Sequence, residues 1–572
     1  MHIIDWVVLI LTTCFIVIYG AWKTRKTSSV ESYLLGDRDL KWWTIGLSIM
    51  ATQASGITFL STPGQAYDDG MRFVQFYFGL PIAMIILAIW VIPQFYKLKV
   101  FTAYEYLETR FDLKTRFFTA ALFLIQRGLA AGLTIYAPSI ILSTILGWNL
   151  TMTNLIIGGL VVIYTAIGGT KAVSETQQLQ MGVILIGLFL ALGVVIYKLP
   201  PQVSFSDALS LAGGMGKLNL VDFNFNPSNK YNFWSGILGG TFLFLSYFGT
   251  DQSQVQRYLS GKSLTESRLG LLFNGILKVP MQFAVLFVGM MVFVFYQFTQ
   301  PPIHFNHVNI EKVEQSSNSN DLKILQTDYN LLQTNKDKSL TSFINSVHSG
   351  DKTAQKSNIE DLKKIGVEEK QIRSKVKDLV VKTDNKAVAD DTDYIFITFV
   401  TKHMPIGIIG LLIAVIFAAS MSSTSSELNA LATTTVIDFY KRAFKKDEND
   451  QHYFKVSIFF TLFWGALVIS FAIFVSLFEN LIEAINIIGS IFYGSILGIF
   501  MTAFFLEKIK GNAVFYAAII TQLIIFILFF MDKTGRIELA YLWLNPIGCF
   551  LVMIFAILFN RTEFGIRDGI RN

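Results

Sequence analysis

Apolar runs of about 17–25 residues recur along almost the whole chain, each long enough to cross a hydrocarbon core of roughly 30 Å as a helix. Lipid offers the backbone no hydrogen bonds, so a crossing segment must satisfy its own, and runs of this length do so as helices. The sequence is therefore read as an all-α polytopic membrane protein with about 13 transmembrane helices. The spans are placed at 4–22, 42–66, 73–96, 115–147, 152–168, 176–197, 233–258, 266–298, 405–437, 453–478, 480–506, 512–531 and 541–560. A composition of 52% hydrophobic and 15% charged residues fits that count. The first run is read as a span rather than a cleaved signal, because its basic flank (Lys23, Arg25, Lys26) follows it.

Basic residues gather after the odd-numbered spans: Lys97, Lys99, Arg110, Lys114, Arg116, Lys171, Arg257, Lys262, Arg268, Lys441, Arg442, Lys445, Lys446, Lys508, Lys510, Arg561 and Arg567. The positive-inside rule then predicts an external N-terminus and a cytoplasmic C-terminus, in a bacterial inner (plasma) membrane. That asymmetry accounts for the net charge of +6 and calls for no nucleic acid partner. Cys14 and Cys549 fall within spans, so no disulfide framework is indicated. Residues 299–395 form a polar extracytoplasmic insert with short helical patterns such as SNIEDLKKIGVEEKQIRSKVKDLVV. It reads as a solvated excursion or as a module for a protein partner that the sequence leaves unknown. His304 and His307 within it have no Cys or carboxylate at ligand spacing, which argues against a metal site.

The informative residues are polar ones inside spans, where charge is costly and marks function or pairing. Span 2 reads WWTIGLSIMATQASGITFLSTPGQAY; Thr52, Gln53, Ser55, Gly56 and Thr58 interrupt it, as a broken helix or a kinked packing helix would require. Span 9 contains FAASMSSTSSELN, with Ser422, Ser425, Ser426 and Asn429 on one helix face. Neutral hydroxyl and carbonyl oxygens suit a monovalent cation, while the bland alternative is a small-residue helix interface. Arg127 and Lys278 lie deep in spans 4 and 8. Either they pair with a fixed acid such as Glu427, or they grip a substrate carboxylate, for which Arg has the planar fork. No span carries a His pair or a GxSxG, so an enzyme is not indicated. A sensor would need a signalling domain, and a sodium leak would differ from a symporter in failing to support counterflow.

These stretches, together with FYKLKVFTAYEYLETRF, IYAPSIIL, YTAIGGTKAV and FGTDQSQVQRYLSGK, resemble the sodium:solute symporter family from about residue 30 through span 11. YEYLETRF, IYAP and QVQRY resemble most the branch that carries iodide, monocarboxylates and vitamins. The resemblance implies an inverted five-helix-repeat core with discontinuous helices, working by alternating access. It divides the chain into 1–40 (span 1 and a loop), 41–298 (spans 2–6 and the start of a second repeat), 299–395 (the insert), 396–510 (the rest of that repeat) and 511–572 (two peripheral helices and a tail).

Carried over by position, the resemblance implies a coupling sodium ion, and no organic cofactor, held by carbonyls of Ala51, Ala54 and Ala419 and hydroxyls of Ser422 and Ser423. A weaker second sodium site would use Ser425 and Ser426 with Gln177, where some members have an aspartate. Substrate residues would be Thr58, Tyr77, Arg127, Tyr247, Lys278 and Asn486. Leu80 and Phe244 replace polar sugar ligands, at a loss of about 1–3 kcal/mol per unmade bond. The expected function is sodium-coupled import of a small organic solute bearing a carboxylate; the alternative is a neutral solute such as a sugar or polyol.

Overall fold

The computed structural model describes residues 1–24, 30–385, 387–474 and 480–569. Arg25 and Lys26, two of the basic flanking residues used for orientation, lie outside them, as do the side chains of Lys23, Lys171 and Arg567. The described residues are helical at every expected crossing. In span 11, 89% of the central window is buried and in span 9 83%, against 28% in span 10 and 33% in span 12. Spans 9 and 11 are thus central, and spans 10 and 12 turn much of their surface to lipid.

Two crossings are interrupted. Span 2 is split into Trp42–Gln53 and Gly56–Asp69, with Ala54 and Ser55 non-helical between them. Glycine is needed there because a Cβ on Gly56 would lie 1.8 Å from Ser420 Oγ on span 9. Span 7, expected as one helix over 233–258, is split as well: Gly240–Gly249 ends at Thr250, and Asp251 caps Gln252–Leu259 by accepting from the Ser253 amide at 2.9 Å. The two breaks fall in the opening helix of each expected five-helix unit.

Spans 5 and 6 join without a loop, as Leu150–Tyr197, across a kink at Gly169 with φ +58°. A Cβ there would sit 2.5 Å from the Tyr33 ring, so glycine answers both the backbone angle and the space. Two arginines counted as loop charges are buried instead. Arg116 is in the first turns of span 4 and bonds Asp438; Arg257 is fully buried in span 7, its Nη1 donating to Ser174 Oγ at 3.2 Å.

The insert carries two long helices, Ser319–Ser349 and Lys352–Thr383, not short patterns. They turn at Gly350 and pack Leu322 and Tyr329 against Val376 and Val380. A buried Lys336–Glu369 pair at 2.9 Å and the Tyr329 hydroxyl donating to Glu369 hold the hairpin together. Its base is fixed by Arg373 on Asp391 at 2.6 Å, and Thr392 reaches span 2 by donating to Asp68 at 3.1 Å.

Candidate functional site

A helix leaves its last carbonyls without i+4 amides, and the break in span 2 leaves such carbonyls in the middle of the fold. The Ser422 hydroxyl on span 9 donates to the Ala51 carbonyl at 3.2 Å across this gap. The Ser423 hydroxyl donates back along its own helix, to Ala419 O at 3.1 Å. One expected hydroxyl, that of Ser422, thus faces one expected carbonyl, that of Ala51, across the gap, and all five expected residues are buried. Neutral oxygens at a helix break can replace part of the hydration shell of an alkali ion.

The second constellation differs. Gln177, from span 6, reaches between spans 2 and 9: its amide nitrogen lies 2.9 Å from Ser422 Oγ, 2.9 Å from Ser426 Oγ and 3.1 Å from Thr52 Oγ1. Its carbonyl oxygen accepts from Ser48. A neutral amide thus donates to the Ser426 hydroxyl, which a second cation would need, and to the Ser422 hydroxyl of the first expected site. Ser425 turns back on its own helix, donating to Met421 O at 2.6 Å.

Beside the break lies a cavity of about 70 Å³ lined by Thr58, Tyr77, Arg127, Tyr247 and Asn486, five of the six expected substrate residues, with Phe244 in the same wall. Lys278 is not among its lining residues. Its ammonium is buried in span 8 without a hydrogen-bond partner among the described residues. Arg127 is fully engaged on one edge: it pairs with Asp251, donates to Glu427 at 3.0 Å and to the Tyr493 hydroxyl at 2.7 Å, and lies 5.3 Å from the Tyr247 ring centre. One guanidinium faces two carboxylates. Glu427 also accepts from Thr134 at 2.8 Å. Only Nε of Arg127 has no partner among the described residues.

Asp251, Tyr493, Thr134 and Gln126 were not singled out in the sequence. The available signal was an aspartate in mid-span, in FGTDQSQ. Ser55 and Thr58, at the start of Gly56–Asp69, also line the cavity, so the positive end of that half-helix is directed at it. In the insert, His304 is structural: its Nε2 lies 3.1 Å from Ala389 O. Among the described residues no three His, Cys, Asp or Glu gather to hold a metal.

Comparison with known proteins adds the lineage. The model of the Sodium:solute symporter family matches residues 33–320 and 379–521. The human Sodium/iodide cotransporter is 34% identical over 275 residues, 48% of this chain and 42% of that protein. The human Sodium-coupled monocarboxylate transporter 1 is 35% identical over 266 residues, covering 46% and 43%. These matches span less than half the relatives' length. The mouse Sodium-coupled monocarboxylate transporter 1 is 27% identical over 492 residues, 86% of this chain and 67% of that one. In fold, the chain is similar to a Na+-coupled sialic acid symporter solved in a substrate-bound outward-open state, with a TM-score of 0.73, 21% identity and 98% of both chains covered.

Proposed function

This chain belongs to the sodium:solute symporter family, and we propose that it couples sodium entry to import of a small organic solute carrying a carboxylate, by alternating access. The observation that carries the reading is Ser422 reaching the Ala51 carbonyl across the broken span. A cation entering there would take oxygens from Ala51, Ala54, Ala419, Ser422 and Ser423, and so would tie span 2 to span 9. The cavity shares the break, so filling the cage and fixing the substrate order the same helix. The two binding events then assist each other, which is the thermodynamic content of coupling.

The substrate class is read from charge. The half-helix N-terminus at Ser55–Thr58 favours an anion, and Arg127 offers a fork that a carboxylate can take over from Glu427. Tyr77, Tyr247 and Thr58 would frame the rest, with Asn486 as a polar contact. One observation favours the second reading, a neutral polar solute: Arg127 already has two carboxylates and a hydroxyl.

Gln177 favours a single sodium ion per cycle, because its amide already serves Ser426, a hydroxyl of the expected second site. One sodium with one monoanion moves no net charge, so a membrane potential worth about 2.3 kcal/mol per charge at 100 mV is not tapped. A tenfold sodium gradient, worth about 1.4 kcal/mol, then sustains about tenfold accumulation. The test is uptake into proteoliposomes of carboxylates, vitamins, sialic acid and sugars, in sodium against potassium. Uptake indifferent to sodium would end the proposal. Carboxylate uptake that rises several-fold under an inside-negative potential would end the single-sodium part of it.

A further inference from the structure

A second cavity, of about 230 Å³, opens on the side of the basic loops. It lies between the short helix Ala103–Arg110, the first turns of span 4 and the end of span 9. Arg116, Lys441, Arg442 and Lys446 line it, with Glu105 as the one acidic wall residue. The two arginines are committed elsewhere: Arg116 to Asp438 and to Glu108, both at 2.7 Å, and Arg442 to Glu108. The lysines are not. Among the described residues no carboxylate lies at ion-pair distance from Lys441 or Lys446, whereas neighbouring Lys445 pairs with Glu448 at 3.2 Å. Lys441 rests over the Tyr453 ring, 5.0 Å from its centre. Two exposed ammonium groups thus share a cavity whose rigid back wall is a satisfied arginine network.

We propose that this cavity binds a phosphate-bearing anion, and that in the membrane its occupant is the headgroup of an anionic phospholipid. Lysines grip phosphate as compact charges, and basic pockets between spans on the cytoplasmic side suit such headgroups. The surroundings favour lipid over a free anion. Phe101 and Ile437 line the cavity beside the lysines, and Phe444, two residues before Lys446, is 77% exposed. An acyl chain leaving the headgroup would find these apolar side chains. The site involves none of the residues assigned to sodium or substrate.

The test uses the full chain in nanodiscs of phosphatidylcholine, with rising phosphatidylglycerol or with added inorganic phosphate, following the apparent melting temperature. Phosphatidylglycerol should raise it saturably. Each of Lys441→Gln and Lys446→Gln should weaken the apparent affinity about fivefold, and the pair about thirtyfold. Lys445→Gln should leave it unchanged, and Lys441→Arg/Lys446→Arg should retain it, which separates loss of charge from loss of fold. A shift produced by inorganic phosphate alone, and lost in the same variants, would support the site and name a soluble occupant instead. A phosphatidylglycerol response equal in wild type and double Gln variant, or no response to either probe, would overturn the proposal.

Discussion

Glu427→Gln is the substitution that best separates the two substrate readings. The Arg127 cluster holds one guanidinium and two carboxyl groups, so with both ionised it carries a surplus negative charge beside the cavity. A substrate carboxylate reaching Arg127, whose Nη1 is 3.0 Å from Glu427, would sit within some 4–5 Å of that side chain. At an effective dielectric constant of about 20 the two like charges repel by roughly 3–4 kcal/mol. The variant also loosens the hold on an arginine donor, because an amide oxygen accepts less strongly than a carboxylate, and a hydrogen bond to a charged group is worth about 1.5–3 kcal/mol. Taking only the lower figure, to allow for a less firmly held arginine, KM for a carboxylate substrate should fall by about tenfold or more. Removing the arginine instead is uninformative, since a buried acid left without its partner costs about 3–5 kcal/mol in stability and the protein itself is at risk. The assay is sodium-driven uptake of labelled carboxylate into proteoliposomes, with kcat and KM resolved and the melting temperature as a control. A KM unchanged within twofold, in a variant that melts and responds to sodium normally, would refute the charge argument.

Other expectations follow from single contacts. Ser422→Ala and Ser423→Ala each remove a cage hydroxyl and should raise the sodium concentration for half-maximal uptake by about tenfold, while the protein still reaches the membrane; unchanged sodium dependence in both would sink the cage. Gly56→Ala should lower the melting temperature sharply, since its Cβ would lie 1.8 Å from Ser420 Oγ. A Ser420→Ala background should recover part of that loss, and equal loss in both backgrounds would show that the contact does not matter. Burial pushes the Asp393 carboxyl, near the end of the insert, up to about 7. Its folded value is therefore raised, so its contribution is complete below the ordinary carboxylate range and is lost as pH climbs through about 7. Hydrogen exchange around 391–394, corrected for intrinsic rate, should be faster at pH 8 than at pH 5.5 in wild type and show no such step in Asp393→Asn.

The crossings were legible because run length alone fixes them, and the break in span 2 was legible because small polar residues and Gly56 crowd one point. The matching break in span 7 was not. Gly249–Thr250 is a mild interruption, and its aspartate gains meaning only from Arg127, 124 residues away in the chain. Arg116 and Arg257 read as loop charges because they stand at span ends; their burial depends on Asp438 and Ser174, partners that only the packed fold supplies. Gln177 could be read as a lost charge. That its amide would take up the Ser426 hydroxyl required three helices in place. The insert helices were underestimated because each is polar over most of its surface and is stabilised by the other.

The polar hairpin is bolted, through Arg373, Asp391 and Thr392, to the half of span 2 whose first turn lines the cavity. It is in effect a crank handle on the transport machinery. A load on the hairpin would reach that half-helix through the Thr392–Asp68 bond, and a fluorophore fixed to the hairpin tip would be a lever-arm reporter of the half-helix's position.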